Sequence, residues 1–141
     1  MKKCALLATL FLTLLMAFSC GGPNPEHTAQ DELRDEVFVI HDEVMPKMGD
    51  IVRLKVGLTE LSVDSLKEAQ VKAAISQLEK AEDGMMNWMN EFTAPEKMRD
   101  SKSHAEIIGY LNNEKTEISK VRDDMLIGIS SAEKILKEGG Q

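Results

Sequence analysis

The chain has 141 residues, enough for one modest domain with a single core once an N-terminal segment is set aside. Its net charge is −7 and no lysine or arginine run forms a patch, so nucleic acid and anionic head groups repel it and nucleic acid drops out as a partner. There is no Gly-rich phosphate loop, nucleophile elbow, His-Glu-x-x-His pair or Cys-x-x-Cys-His haem attachment, and the residues point to a non-enzymatic protein without a cofactor.

The first element is MKKCALLATLFLTLLMAFSCGG. Lys2 and Lys3 precede an apolar run from Ala5 to Phe18, relieved only by Thr9 and Thr13. The run is too short for a ~30 Å hydrocarbon core and has the layout of a secretory signal. Ala17 and Ser19 would suit ordinary signal peptidase, whereas Cys20 directly after them resembles a bacterial lipoprotein signal, in which that cysteine is acylated and becomes the first residue. Cysteine arithmetic agrees with acylation: Cys4 leaves with the signal, and the mature chain then holds neither a free thiol nor a disulfide. Several acyl chains, at ~0.8 kcal/mol per buried methylene, anchor a protein that one chain would hold only marginally. Gly21 in place of aspartate favours the outer membrane, by resemblance to lipoprotein sorting signals. The expected location is therefore the bacterial cell envelope, with the protein tied to the membrane through its N-terminal lipid.

Gly21 to Gln30 reads as a flexible tether, with two glycines, two prolines and no apolar residue larger than alanine. From Asp31 the apolar spacing turns helical. Leu33, Val37, Ile40, Val44, Met48, Ile51, Leu54, Leu58 and Leu61 step by three or four and form one stripe. Pro46 lies inside it and removes the bond to the Asp42 carbonyl, so the spacing predicts one kinked helix. Ser65 to Glu68 fits a capping box that opens a second stripe, Val71, Ile75, Leu78, Ala81, Met85, Met89 and Phe92, ended by Thr93-Ala94-Pro95. Ser103 to Glu106 fits another. It opens a third stripe through Ile107, Leu111, Ile118, Val121, Met125, Ile129, Ala132 and Leu136, closed by Gly139-Gly140. The predicted fold is all-α: residues 1–19 a signal peptide, 20–30 a lipidated cysteine and tether, and 31–141 an antiparallel three-helix bundle. Near-heptad stripes of this length also allow self-association.

Among candidate site residues, Glu79, Glu82, Asp83, Glu114 and Glu117 read as solvated faces rather than acid–base pairs. Folding the first helix on the second about a turn near residue 63 sets His41 opposite Met85, and a turn near residue 97 sets Met85 level with Gly109. His41, Met45, Met85 and Met89 then gather at one level beside Pro46. Thioether and imidazole together suit Cu(I), while methionine also fills irregular gaps beside a kink, and both readings stand. Trp88 and Met86 lie off the stripe centre. With Phe38 they form a candidate partner-contact surface.

The string Val37-x-x-Ile40-His41-Asp42-Glu43-Val44-Met45-Pro46-Lys47-Met48-Gly49, with Met85-Met86-Asn87-Trp88-Met89 and Tyr110-Leu111, resembles a group of small uncharacterised bacterial lipoproteins. Some carry the label "viral A-type inclusion protein". The resemblance spans most of the mature chain and implies coiled-coil-like helices, but no catalytic or binding residue. The expected function is a membrane-anchored structural or protein-interaction module of the cell envelope, with a protein partner. The alternative is soft-metal or small-ligand binding at the His/Met cluster.

Overall fold

A computed structural model describes residues 23–61 and 64–139. The expected signal segment and Cys20, the expected acyl acceptor, lie outside the described residues. Among those described, every regular element is helical: α1 (Pro25–Val44), α2 (Met48–Glu60), α3 (Ser65–Glu91) and α4 (His104–Gly139). A 3₁₀ turn at Met45–Lys47 joins α1 to α2, and another at Pro95–Lys97 lies between α3 and α4. With α1 and α2 forming one interrupted rod, the predicted three-helix bundle is the observed fold.

The first rod starts earlier than its apolar stripe. Asn24 caps α1, its Oδ1 accepting from the Glu26 N–H (2.9 Å), and Pro25 occupies the first turn. Asparagine, proline and glutamate in that order form a helix start, because proline's missing N–H is unneeded there and the acid favours the positive end of the helix dipole. Residues Pro25 to Gln30, expected in the tether, are therefore helical. Pro46 does interrupt the rod as predicted, yet the backbone stays in the right-handed helical region on both sides, from Val44 through Met48.

The start of α3 also differs by one residue. Asp64 Oδ1 accepts from the Lys67 N–H (3.0 Å), and Glu68 pairs with Lys72 (2.6 Å) instead of reaching back. The box at α4 forms as predicted: the Ser103 N–H donates to Glu106 Oε2 (2.9 Å), and Ser103 Oγ takes the Glu106 N–H (3.4 Å). These bonds hold the Glu106 carboxyl below the ordinary carboxylate range.

Packing follows a seven-residue spacing. Val37, Val44, Ile51 and Leu58 on the first rod, Val71, Leu78 and Met85 on α3, and Ile118, Met125 and Ala132 on α4 are all buried in one core. The rod and α4 run parallel, with Lys115 beside Glu36 (2.6 Å) and Leu136 against Gly57. α3 runs antiparallel to α4, with Gly84 facing Val121 and Gly128 facing Leu78. Val121 thus occupies the level at which Gly109 was expected, because the connector after α3 does not reverse at once. It continues past the end of α3, buries Pro95 and Met98, and lets α4 begin alongside α1.

That end is sealed by polar groups. Gln30 is 2% exposed, and Arg99, which can only donate, fixes its orientation through Nε to Gln30 Oε1 (2.9 Å). The Gln30 amide nitrogen then donates to His104 Nδ1 (3.2 Å). Arg99 also reaches Asp31 Oδ1 (2.6 Å) and the His27 carbonyl (3.3 Å).

Two stability outcomes follow from these contacts. Arg99→Ala orphans the buried Gln30 oxygen and should cost about 1–3 kcal/mol in urea denaturation, whereas Arg53→Ala, which removes only an exposed pair with Asp50, should stay within about 0.5 kcal/mol. A Cβ at Gly109 meets nothing within 4 Å, while one at Gly57 meets Leu136 Cδ1 at 3.3 Å. Gly109→Ala should therefore gain up to about 1 kcal/mol of stability, and Gly57→Ala clearly less.

Candidate functional site

All four aromatic residues of the described chain meet in one cluster. Phe38 and His41 lie one turn apart on α1, and Phe92, the residue just after α3, lies one turn beyond Trp88, its N–H donating to the Trp88 carbonyl (2.9 Å). Phe38 meets Phe92 edge to face with centroids 5.2 Å apart, and meets Trp88 at 6.3 Å. Trp88 lies against Phe92 at 5.2 Å, and Phe92 passes the contact to Tyr110 of α4 at 6.2 Å. Such ring pairs add about 0.5–1.5 kcal/mol each beyond the area they bury. The Tyr110 hydroxyl also accepts the Thr93 N–H (2.7 Å), tying the residue beyond the end of α3 to α4.

The cluster revises the expected contact surface. Trp88 is only 6% exposed and belongs to the core, Phe38 is half-buried against it, and Met86 alone of the three is exposed. Trp88 follows Met85 by three and precedes Phe92 by four, so it was as well placed in the helical phase as the expected Met89. His41 packs on Trp88 (5.5 Å between centroids) and Phe38 (5.8 Å), with Nδ1 bonded to Asp42 Oδ1 (2.8 Å). Met85 is fully buried, and Met45 and Met89 are partly buried against the same core. Among the described residues, no group of three or more histidine, cysteine, aspartate or glutamate side chains is placed to hold a metal ion.

A groove of about 400 Å³ runs between α3 and α4 beside Trp88. Glu91, Glu114 and Glu117 line it near the indole, with Lys120 and Asp124 further along α4. Glu114 is the residue that sequence patterning missed. It is partly buried, whereas its neighbour Glu117 is solvated as expected. The available signal was a gap: Leu111 and Ile118 are seven apart, and a polar residue occupies the intermediate core-phase position.

Burial is the main force that pushes the Glu114 carboxyl above the usual carboxylate range. The Trp88 and Tyr110 polar edges pull it back down, and the negative charges of Glu117 and Glu91 push it up. The Trp88 Nε1–H is itself buried, and the Glu114 carboxyl is the acceptor beside it, although the two do not reach ordinary hydrogen-bond geometry. Burial likewise raises the Tyr110 hydroxyl, opposed by the hydrogen bond from Thr93.

No family profile, curated protein or solved structure matched the chain in the three comparisons made.

A carboxyl with a raised pKa in the fold binds its proton more tightly there than in the unfolded chain. Its contribution favours the fold at low pH and is lost as pH rises through the raised value. Glu114→Gln should therefore be more stable than the wild type at pH 7, and the difference should close below the ordinary glutamate range, about pH 4.3. Urea denaturation at both pH values measures this. A Glu114→Gln variant that is less stable at pH 7 would contradict it.

Proposed function

We propose that this chain is a non-enzymatic lipoprotein of the bacterial cell envelope, a helical interaction module held close to the membrane by lipid on Cys20. The carrying observation is how near the rigid fold begins to that cysteine. With Asn24 capping α1, five residues from Cys20 to Asn24 separate the acyl site from the first helical turn. Fully extended, they reach at most about 18 Å. On this reading the bilayer lies near the end of the bundle built from the start of α1, the connector after α3 and the start of α4. The Leu61 end projects away from it.

Two further observations support an anchor made of lipid rather than protein. No helix among the described residues is long and apolar enough to cross a membrane. The chain is acidic, which disfavours direct attraction to anionic head groups. An outer-membrane location rests on Gly21 following the cysteine. The interaction reading draws on the helical surface itself, which leaves Val39, Val52, Val56, Met86 and Ile127 exposed for contact with a protein partner. Nothing in the geometry favours Cu(I) over core packing for His41, Met45, Met85 and Met89, each of which is already engaged in the cluster or the core.

Labelled fatty acid should enter the wild-type protein and not Cys20→Ala, and the variant should leave the membrane fraction. Crosslinking in intact cells should give a discrete protein adduct that the variant loses. Membrane retention of Cys20→Ala without label would refute the lipid anchor. An absence of adducts beyond abundant neighbours would refute the interaction role.

A further inference from the structure

We propose that His104 is a pH-sensitive latch for the start of α1: its unprotonated Nδ1 holds Gln30, and protonation there loosens Pro25–Gln30 from the connector and α4. The latch itself is independent of acylation at Cys20.

The bonds of Gln30 leave His104 one role. Arg99 can only donate, so the Gln30 atom facing it is the oxygen (2.9 Å), and the amide nitrogen faces His104 Nδ1 (3.2 Å). Nδ1 must therefore accept, which requires its lone pair. A proton on Nδ1 sets one N–H against another, and Gln30 cannot turn its oxygen to the ring without abandoning Arg99. Swinging the imidazole into solvent leaves the Gln30 N–H without a partner on a residue only 2% exposed. Either way the docked form gives up this bond when Nδ1 takes a proton, so acid favours undocking.

The start of α1 has little else to hold it. Gln30 is the first buried residue of the helix, and the next is Val37. Leu33 is its first large apolar side chain, packed with Met98, Ile107 and Leu111. Before Leu33, the hydrogen bonds from α1 to the rest of the described fold are those of Gln30, and those of Arg99 to Asp31 and the His27 carbonyl. A helix end held by so few bonds opens at low cost.

No neighbouring charge compensates a protonated ring. Asp31 on α1 is engaged by Arg99 (2.6 Å) and Arg34 (3.3 Å), and Arg34 also takes Glu96 of the connector. Lys97, Asp100 and Lys102 are exposed along the connector. Glu106 on α4 is engaged by Ser103, and α3 ends at Glu91, short of this level. His104 is also the first residue of α4, at the positive end of its dipole. Where Cys20 carries lipid, as proposed above, loosening adds Pro25–Gln30 to the tether. Eleven residues from Cys20 to Gln30 then reach about 40 Å in place of about 18 Å.

Hydrogen–deuterium exchange of the purified full chain in detergent, corrected for the intrinsic rate at each pH, tests the latch. The interval from about pH 7.5 to about pH 5.5 spans the ordinary histidine value and stays above that of carboxylates. Across it, protection over Thr28–Leu33 should fall about fivefold or more. His104→Asn, whose side-chain oxygen can accept at both pH values, should show no such fall. His27→Asn, which removes the other histidine at this end, should respond as the wild type does. Protonation of Glu114 cannot imitate the effect, because its raised pKa makes acid favour the fold. Unchanged wild-type protection, a fall that persists in His104→Asn, or a fall lost in His27→Asn would overturn the proposal.

Discussion

The bundle depends on one apolar face that stays continuous along the first rod despite Pro46. A straight α-helix falls behind a seven-residue repeat by about 20° per heptad. Three heptad steps separate Val37 from Leu58, so an unbroken helix would rotate Leu58 about 60° away from the core. The 3₁₀ turn at Met45–Lys47 advances its residues by about 120° each instead of about 100°. Over its three residues it restores about 60°, which cancels the drift. Val37, Val44, Ile51 and Leu58 are accordingly all buried, although the rod crosses a proline between the second and third. Proline's disruption is here a phase correction, and it lets a long rod pack without supercoiling strongly.

The other two helices meet that face through an alternation of large and small side chains. At the positions between the buried Val71, Leu78 and Met85, α3 carries Ala74 and Ala81 and then Trp88. α4 presents Val121 to Gly84 and Gly128 to Leu78, so the α3/α4 seam is close where a glycine on one helix faces a branched side chain on the other. At the Trp88 level the large indole meets a carboxyl instead, and the seam opens into the groove. The first turns of α4 have no stretch of α3 beside them. They are closed by Met98, Ile107 and Leu111 with Leu33, and by the Arg99–Gln30–His104 hydrogen bonds. Hydrogen bonds are needed there because Gln30 is buried, and an unsatisfied buried amide would oppose the docking of α1.

Periodicity made the fold legible because each stripe repeats over many turns, and burial of Val37, Leu78 or Met125 depends only on phase. Local signals were less decisive where two readings shared the same residues. Asn24-Pro25-Glu26 serves equally as tether composition and as a capped helix start, and only the docking of Gln30 on Arg99 distinguishes them. The inter-helix register was not legible, since it depends on whether the chain between Phe92 and Ser103 reverses at once or climbs. Burial of Pro95 and Met98 decides that, and neither lies in a periodic segment. Trp88 illustrates the same limit: it and Met89 fit the helical phase equally well, and the aromatic partners Phe38 and Phe92 select the tryptophan for the interior.

Glu114 is the point at which the regular pattern and the site part company. Its position in the heptad calls for an apolar residue, and leucine there would cover the indole without desolvating a charge. The chain instead places an acid between Leu111 and Ile118, beside two further acids and a buried indole N–H with which it closes no hydrogen bond of ordinary geometry. Each feature alone opposes the compact state: desolvation of the carboxyl, repulsion from Glu91 and Glu117, and the orphaned indole donor.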